Sequence, residues 1–269
     1  MANDERLTLS VDCGGLFLKS CVLDESGTMH SKPSRIETPY PLSPDRFIET
    51  IKDISDSLPS AYRATVGMPG MIRHGVVIST PHYMTKAGPR TKIDPELQEQ
   101  WSGFDMQNAL SKKLEMPARV LNDAEVHGAG IISGSGYEVV ITLGTGLGFA
   151  IFYGGSLSPH IEFSHAPVRR ATTYDTWIGE HERRRLGNAF WSRRIRAMVD
   201  ELRPVIGQFV LGDLANVVRG ALAAHLAAGA DAVTQRKPHA DHYRAAVARA
   251  GGTIRRSVMI GDTVADVAT

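Results

Sequence analysis

Two apolar stretches broken by glycine, LTLSVDCGGLFLKSCVLD at 7–24 and EVVITLGTGLGFAIFYGG at 138–155, constrain this chain more than any other feature. Each has strand-forming residues on both sides of a short glycine bend, the pattern of a β-hairpin. DESG at 24–27 adds a turn with glycine placed for positive φ. Between the hairpins, Ser43 as N-cap and Pro44 at the first helical position precede Phe47, Ile48, Ile51, Ile54 and Leu58 at helical spacing. Strands are predicted at 64–68 and 75–80, then a helix with Met106, Leu110 and Leu114 on one face, then a strand at 118–121 ending in Asn122 and Asp123. The segment from Pro81 to Pro95, rich in Lys, Arg, Pro and Gly, reads as a surface loop. Two glycine-bent hairpins separated by helices and further strands predict an α/β protein with a rough internal duplication.

The chain has 269 residues, above the roughly 100–200 of one domain, so two packed units or one large one are expected. A hydrophobic fraction of 42% with 22% charged residues suits a globular core. A net charge of +1 supplies no global field for nucleic acid or an acidic membrane, and neither is expected as a partner. The two cysteines, Cys13 and Cys21, indicate neither a disulfide framework nor a structural zinc, which takes about four ligands. MANDERLTLS lacks the apolar core of a signal peptide, and no apolar run approaches about 18 residues; a cytoplasmic protein is the expectation. Local charge is concentrated in the arginine-rich stretch 169–203, where Phe190, Trp191, Ile195, Met198, Val199 and Leu202 mark an amphipathic helix opened by Asn188. It reads either as a polyanion patch or, given Asp175, Glu180, Glu182, Asp200 and Glu201, as a solvated helix face.

Chemistry concentrates at the bends and strand ends. DCGG and LGTGLG are each commonplace as tight turns, but together they could clamp a phosphate, because a nest of backbone N–H groups binds oxyanions where side chains would intrude. Asp12, at a strand end, either caps its turn or holds a hydrated magnesium ion. Asp123 either opens the following helix through an Asx-turn or accepts a hydroxyl proton during phosphoryl transfer. Glu162 and His165 form a Glu-x-x-His pair in a predicted strand end or loop, suited to hydroxyl recognition rather than metal.

Taken in order, DCGG-x-x-x-K, VGMPG, W-x-G-x-D, LNDA, TLGTGLG and E-x-x-H resemble the ROK family of sugar kinases, over about residues 7–206. HAPVRRATTYDTWIG and the arginine-rich helix after it are similar to that family's polyphosphate glucokinases. The resemblance implies the actin-like ATPase (ribonuclease H-like) two-domain fold. It implies phosphoryl transfer from polyphosphate or ATP, with Mg2+, to the 6-hydroxyl of glucose, in a homodimer binding only small molecules. Asp123 becomes the base, and Asn122, Glu162, His165, Gly70 and Asp175 become sugar ligands. Asp12, Gly14, Gly15 and Lys19 form the first phosphate loop, and Thr142, Gly144, Thr145, Gly146 and Gly148 the second. The domains implied are an N-terminal one at 1–123, an incomplete C-terminal one at 124–208 and a tail at 209–269.

The departures are specific. Leu16 stands where the family has a threonine, which removes a hydroxyl from the first loop. The family's cysteine-rich zinc motif is absent, an asparagine expected after the PG strand is not identifiable in STPHYMTKAG, and Asp213 interrupts a segment where glycines should approach adenosine. The atypical tail, RKPHADHYRAAVARAGGTIRRSVMIGDTVADVAT, resembles the C-terminal motifs of haloacid dehalogenase-type phosphatases, with Lys237 as the phosphate lysine and Asp262 and Asp266 as magnesium ligands. That chemistry needs a nucleophilic aspartate early in its domain, and LDESGT at 23–28 does not supply it. Two alternatives follow: a catalytically impaired sugar-binding relative, and, last, a phosphatase of the tail's type. A ROK repressor is not expected, because DCGG begins too early for a helix-turn-helix ahead of it.

Overall fold

β1 (Thr8–Cys13) turns through the first glycine bend and returns as β2 (Phe17–Leu23), with Asp12 opposite Lys19 and Cys13 opposite Leu18. The computed structural model describes residues 7–212 other than 90, 145, 170 and 207, with side chains through Leu202. Expectations for Thr145, Asp213, Lys237, Asp262 and Asp266 therefore lie outside the described residues. The chain divides into two units, Met1–Val126 and His127–Thr269.

In the first unit β3 (Ser34–Glu37) extends the hairpin antiparallel, and after α1 (Pro44–Asp56) the chain enters β4 (Arg63–Met68) parallel to β1. The short strands β5 (Met71–Arg73), β6 (Val76–Ser79) and β7 (Phe104–Asp105) form a separate three-stranded sheet. α2 (Pro95–Trp101) and α3 (Met106–Leu114) lead to β8 (Ala118–Asn122), parallel to β4, and to α4 (Asp123–Ala129). The sheet order is β3-β2-β1-β4-β8. α1 starts where predicted: Ser43 Oγ accepts the Arg46 N–H at 3.2 Å and Pro44 needs no donor, a cap worth about 1 kcal/mol. Its Phe47 and Ile51 are fully buried with Val11, Val66, Val120, Leu110 and Trp101, and burial of each such side chain stabilises by about 1.5–3 kcal/mol.

The expectation of a surface loop at Pro81–Pro95 is corrected here. Tyr83, Met84 and Thr85 are buried, and the Tyr83 ring lies 5.8 Å from Phe47 and 5.6 Å from Trp101. Thr85 Oγ1 accepts the Gly88 N–H at 3.1 Å, closing a turn over residues 85–88. Charged and turn-forming neighbours hide three inward residues from a composition-based reading.

The second unit opens with the second hairpin, β9 (Tyr137–Leu143) and β10 (Leu147–Tyr153), extended by β11 (Ser156–Leu157). β12 (Pro167–Arg169) and β13 (Thr172–Thr173) form a ribbon, followed by α5 (Tyr174–Ile178), α6 (Glu180–Leu186), α7 (Asn188–Ile206) and β14 (Gln208–Gly212). β14 lies parallel to β9, giving the order β11-β10-β9-β14. The first unit has the same succession in β3-β2-β1-β4, an antiparallel hairpin flanked by an antiparallel strand on one side and a parallel strand on the other. The duplication seen in the two glycine bends is thus a duplication of topology. Ile141, Phe149, Ile178, Trp191, Ile195 and Met198 pack as this unit's core, and Trp191 Nε1 donates to the Ile178 carbonyl at 2.6 Å.

Candidate active site

Parallel pairing brings the carboxyl ends of β1, β4 and β8 to one edge of the first sheet. Asp12 is in register with Gly67, Gly67 with Leu121, and Met68 with Asn122. Such an edge is where ligands bind open α/β sheets. The Gly14–Gly15 bend, Gly70 and the Asn122–Asp123 pair all follow directly from these ends. Two strand spacings, roughly 10 Å, separate the β1 and β8 positions. Burial holds the pKa of the Cys13 thiol well above its ordinary value, and the charges of Asp12 and Asp123 push it further the same way. Asp12 Oδ2 pairs with Lys19 Nζ at 3.5 Å, both mostly shielded.

Asn122 is the keystone of this edge. Its Oδ1 accepts the Ala124 N–H at 2.8 Å, its Nδ2 donates to the Gly70 carbonyl at 2.8 Å, and its own N–H donates to Glu125 Oε2 at 2.9 Å. Asn-x-x-Glu has the spacing of a capping box, with Glu125 reaching back to the Asn122 N–H while the Asn122 oxygen caps Ala124, the second helical residue. It starts α4 so that Asp123 is the first helical residue, with Asp123 Oδ1 accepting the Ala124 N–H at 2.9 Å. Gly67 makes room for this helix start: a Cβ there would lie 3.4 Å from the Asp123 Cα. Gly70 is held at φ +104, and a Cβ on it would meet the Ser79 carbonyl oxygen at 2.3 Å. Sequence reasoning singled out Asn122, Asp123 and Gly70 but missed Glu125 and Gly67; the Asn-x-x-Glu spacing was the available signal for the former.

The first bend is held by side chains from elsewhere. The Gly14 carbonyl accepts from Thr38 Oγ1 at 3.0 Å and Tyr83 Oη at 3.2 Å, the Gly15 carbonyl from Tyr40 Oη at 2.9 Å, and the Leu16 carbonyl from the Thr38 N–H at 3.0 Å. Leu16, in the threonine's place, is 63% exposed.

In the second unit the bend between β9 and β10 closes with the Gly144 N–H donating to the Gly146 carbonyl at 3.0 Å, and Thr142 faces Gly148 across the hairpin. Asp175, at the start of α5, accepts the Leu147 N–H on Oδ1 at 3.1 Å, and that oxygen lies 2.0 Å from where a Cβ on Gly146 would stand. Asp175 therefore shapes the second bend, a role its sequence context did not signal. Glu162 precedes a single 3-10 turn, Phe163–His165, and the stacking of Phe163 on Phe149 and Tyr174, at 4.6 and 4.8 Å, fixes that turn in place. Ser164 Oγ donates to Glu162 Oε1, and His160 Nε2 lies 3.6 Å from Glu162 Oε2. His160 and Ser164, both buried, were missed in the sequence.

Burial raises the Glu162 carboxyl pKa, but the close approach of His160, the hydrogen bond from Ser164 and the charge of His165 outweigh it and leave it below the ordinary 4.5. A folded value below the unfolded one contributes stability above the unfolded value and loses it as pH falls through the folded one. Glu162→Gln should therefore lower the thermal midpoint near neutral pH, and its deficit against the parent should shrink as pH falls below the ordinary carboxyl value of 4.5. A deficit that stays constant over that range would show that the charge on Glu162 is not what stabilises the turn.

Four of the nine arginines in the stretch 169–203 enter ion pairs with two glutamates. Glu180 takes Arg183 and Arg184 at 2.5 and 3.0 Å, and Glu182 takes Arg185 and Arg194, each at 2.6 Å. This arrangement favours the solvated helix face over a polyanion patch.

Comparison with known proteins puts these motifs in context. The model of the ROK family matches residues 8–161. The polyphosphate glucokinase of Mycobacterium tuberculosis (strain ATCC 25618 / H37Rv) is 28% identical over 178 residues, covering 62% of this chain and 61% of that protein. The polyphosphate glucokinase of Mycobacterium leprae (strain TN) is 28% identical over 168 residues, covering 59% of this chain and 47% of that protein. The chain thus matches less than two thirds of the length of these relatives. Among solved structures, the inorganic polyphosphate/ATP-glucomannokinase of Arthrobacter sp. strain KM superposes with a TM-score of 0.63 at 24% identity, covering 91% of this chain and 96% of that one. A ROK glucokinase from Streptomyces griseus, in complex with glucose and AMPPNP, gives 0.61 at 19% identity, covering 91% and 98%. These likenesses show the fold, that of the actin-like ATPase sugar kinases.

Proposed function

The chain belongs to the ROK family, and from that footing we propose that it transfers a phosphoryl group from polyphosphate or ATP to the 6-hydroxyl of glucose. The observation that carries this reading is the convergence of the Gly14–Gly15 bend, Gly70 and Asn122–Asp123 at one sheet edge. Asp123 serves as general base, taking the hydroxyl proton as the sugar oxygen bonds to the terminal phosphorus and the bridging P–O bond of the donor breaks. A base contributes by being within hydrogen-bond reach of that proton, and the capping box fixes where Asp123 begins its helix. Asn122 spends its oxygen on the cap and one amide hydrogen on Gly70, which leaves its second amide hydrogen for a sugar hydroxyl. In the second unit, Glu162, His165 and Asp175 are assigned to sugar hydroxyls, and Thr142, Gly144, Thr145, Gly146 and Gly148 to the donor.

Magnesium, when bound, neutralises charge on the donor phosphates. It needs only one or two carboxylates besides water and substrate oxygens. Asp12 fits that role although no group of three metal-capable side chains occurs among the described residues. Its Oδ2 faces Lys19, and the other carboxylate oxygen would hold the hydrated ion.

The test is glucose phosphorylation by ATP and by polyphosphate in parallel, with glucose binding measured alongside. Turnover with at least one donor is expected. Glucose binding without turnover on either donor would replace this reading with an impaired sugar-binding relative, for which Leu16 in the first bend is the structural motive.

A further inference from the structure

We infer that Tyr40 and Tyr83 are positioning residues for the phosphate donor: their hydroxyls hold the carbonyls of the Gly14–Gly15 bend and so aim its next two N–H groups at an anion. The inference rests on the proposed reading of that bend as a phosphate loop.

In a trans peptide the C=O of one residue and the N–H of the next point in opposite directions. Fixing the Gly14 carbonyl on Tyr83 and Thr38 therefore fixes the direction of the Gly15 N–H. Fixing the Gly15 carbonyl on Tyr40 does the same for the Leu16 N–H. The two tyrosine rings neighbour each other, with centroids 6.4 Å apart, so both carbonyls are held by one cluster of side chains. Neither N–H has an acceptor among the described residues. Unpaired backbone donors are rare in folded proteins unless water or a ligand takes them, and two successive ones in a glycine bend form the concavity that suits an oxyanion.

A glycine bend left to itself would sample many peptide orientations. Here each of the three carbonyls from Gly14 to Leu16 is tied to Thr38, Tyr40 or Tyr83. Tyr83 is fully buried against Phe47 and Trp101, so its hydroxyl has little freedom to leave. Burial raises both phenol pKa values above their ordinary range, which keeps the two hydroxyls protonated as donors.

The two hydroxyls are not equivalent. The Gly14 carbonyl keeps Thr38 when Tyr83 is lost, whereas the Gly15 carbonyl has only Tyr40 among the described residues. Tyr40→Phe should therefore raise the KM for inorganic polyphosphate by about 2- to 12-fold, the worth of one neutral hydrogen bond. Tyr83→Phe should raise it less, and the KM for glucose should stay unchanged in both. A purely structural role would lower thermal midpoints without this split between the two KM values.

The deciding measurement uses 15N-glycine-labelled full-length protein titrated with inorganic tripolyphosphate and Mg2+. In the parent the Gly15 amide resonance should shift, and in Tyr40→Phe the shift should need several-fold more tripolyphosphate. A parent Gly15 resonance that does not respond would overturn the phosphate-loop reading itself. A response with the same titration midpoint in parent and variants would overturn the tyrosine inference alone. If Tyr83→Phe fails to fold, Tyr40→Phe, at a half-buried position, decides the question by itself.

Discussion

Asp123→Asn should reduce glucose phosphorylation by about 10²–10⁴-fold, the usual contribution of a positioned general base, while the fold stays intact. Asparagine has the shape of aspartate and can keep the bond from Oδ1 to the Ala124 N–H, so the start of α4 survives. What it loses is a negative charge in the first turn of a helix at a half-buried position, an effect of up to about 2 kcal/mol. A loss of that size leaves a stable protein almost fully folded, so unfolding cannot account for a hundredfold drop. The measurement is kcat at saturating glucose for both donors, together with the thermal midpoint. Equal kcat values in parent and variant would remove Asp123 from the chemistry. A drop in kcat with an unchanged KM for glucose would place the loss in the chemical step rather than in binding. The capping box sharpens the experiment, because Asn122→Ala should break the same helix start from the neighbouring position. It removes the Oδ1 cap and the bond to Gly70 but leaves the carboxylate of Asp123 chemically untouched. If the carboxylate rather than the helix start is what matters, Asp123→Asn is the more damaging to kcat and Asn122→Ala the more damaging to stability.

How far the sequence revealed this arrangement depended on whether the physics was local. The hairpins and α1 declare themselves through residues near each other in the chain: strand formers around DCGG and LGTGLG, and Ser43-Pro44 before an apolar face. Asn122–Asp123 was recognisable as a pair at a strand end, and Glu125 three residues on carried the capping signal. What holds the first bend was not legible. Tyr40 and Tyr83 reach Gly15 and Gly14 across 25 and 69 residues, and nothing beside DCGG points to them. The same distance effect misassigned Pro81–Pro95: its Lys, Pro and Gly residues describe a surface, whereas Tyr83 is buried by Phe47 and Trp101, which belong to α1 and α2. Asp175 is a further long-range case. The family resemblance implied a sugar ligand at this position, and nothing in the local sequence signalled that its Oδ1 also shapes the Gly146 bend through Leu147.

Gly70→Ala should cost about 3–5 kcal/mol, in the range reserved for buried strain and clash, and Gly103→Ala supplies the control that says why. Both glycines have positive φ, +104 and +77, and an alanine there pays a backbone penalty of about 1–2 kcal/mol. At Gly103 nothing lies within 4 Å of the new Cβ, so that penalty is the whole effect. At Gly70 the Cβ would stand 2.3 Å from the Ser79 carbonyl oxygen and 2.9 Å from the Thr80 Cα. Those are backbone atoms at the end of β6, which cannot rotate aside as a side chain could. Relief requires the β4–β5 turn to move, and with it the Gly70 carbonyl that accepts from Asn122 Nδ2. Urea unfolding of the two variants separates the terms. Equal losses would mean that the turn absorbs the clash and that Gly70 is required only for its φ. A much larger loss at Gly70, accompanied by a raised KM for glucose in whatever fraction remains folded at low temperature, would tie the approach of β6 to the placement of Asn122 beside Asp123.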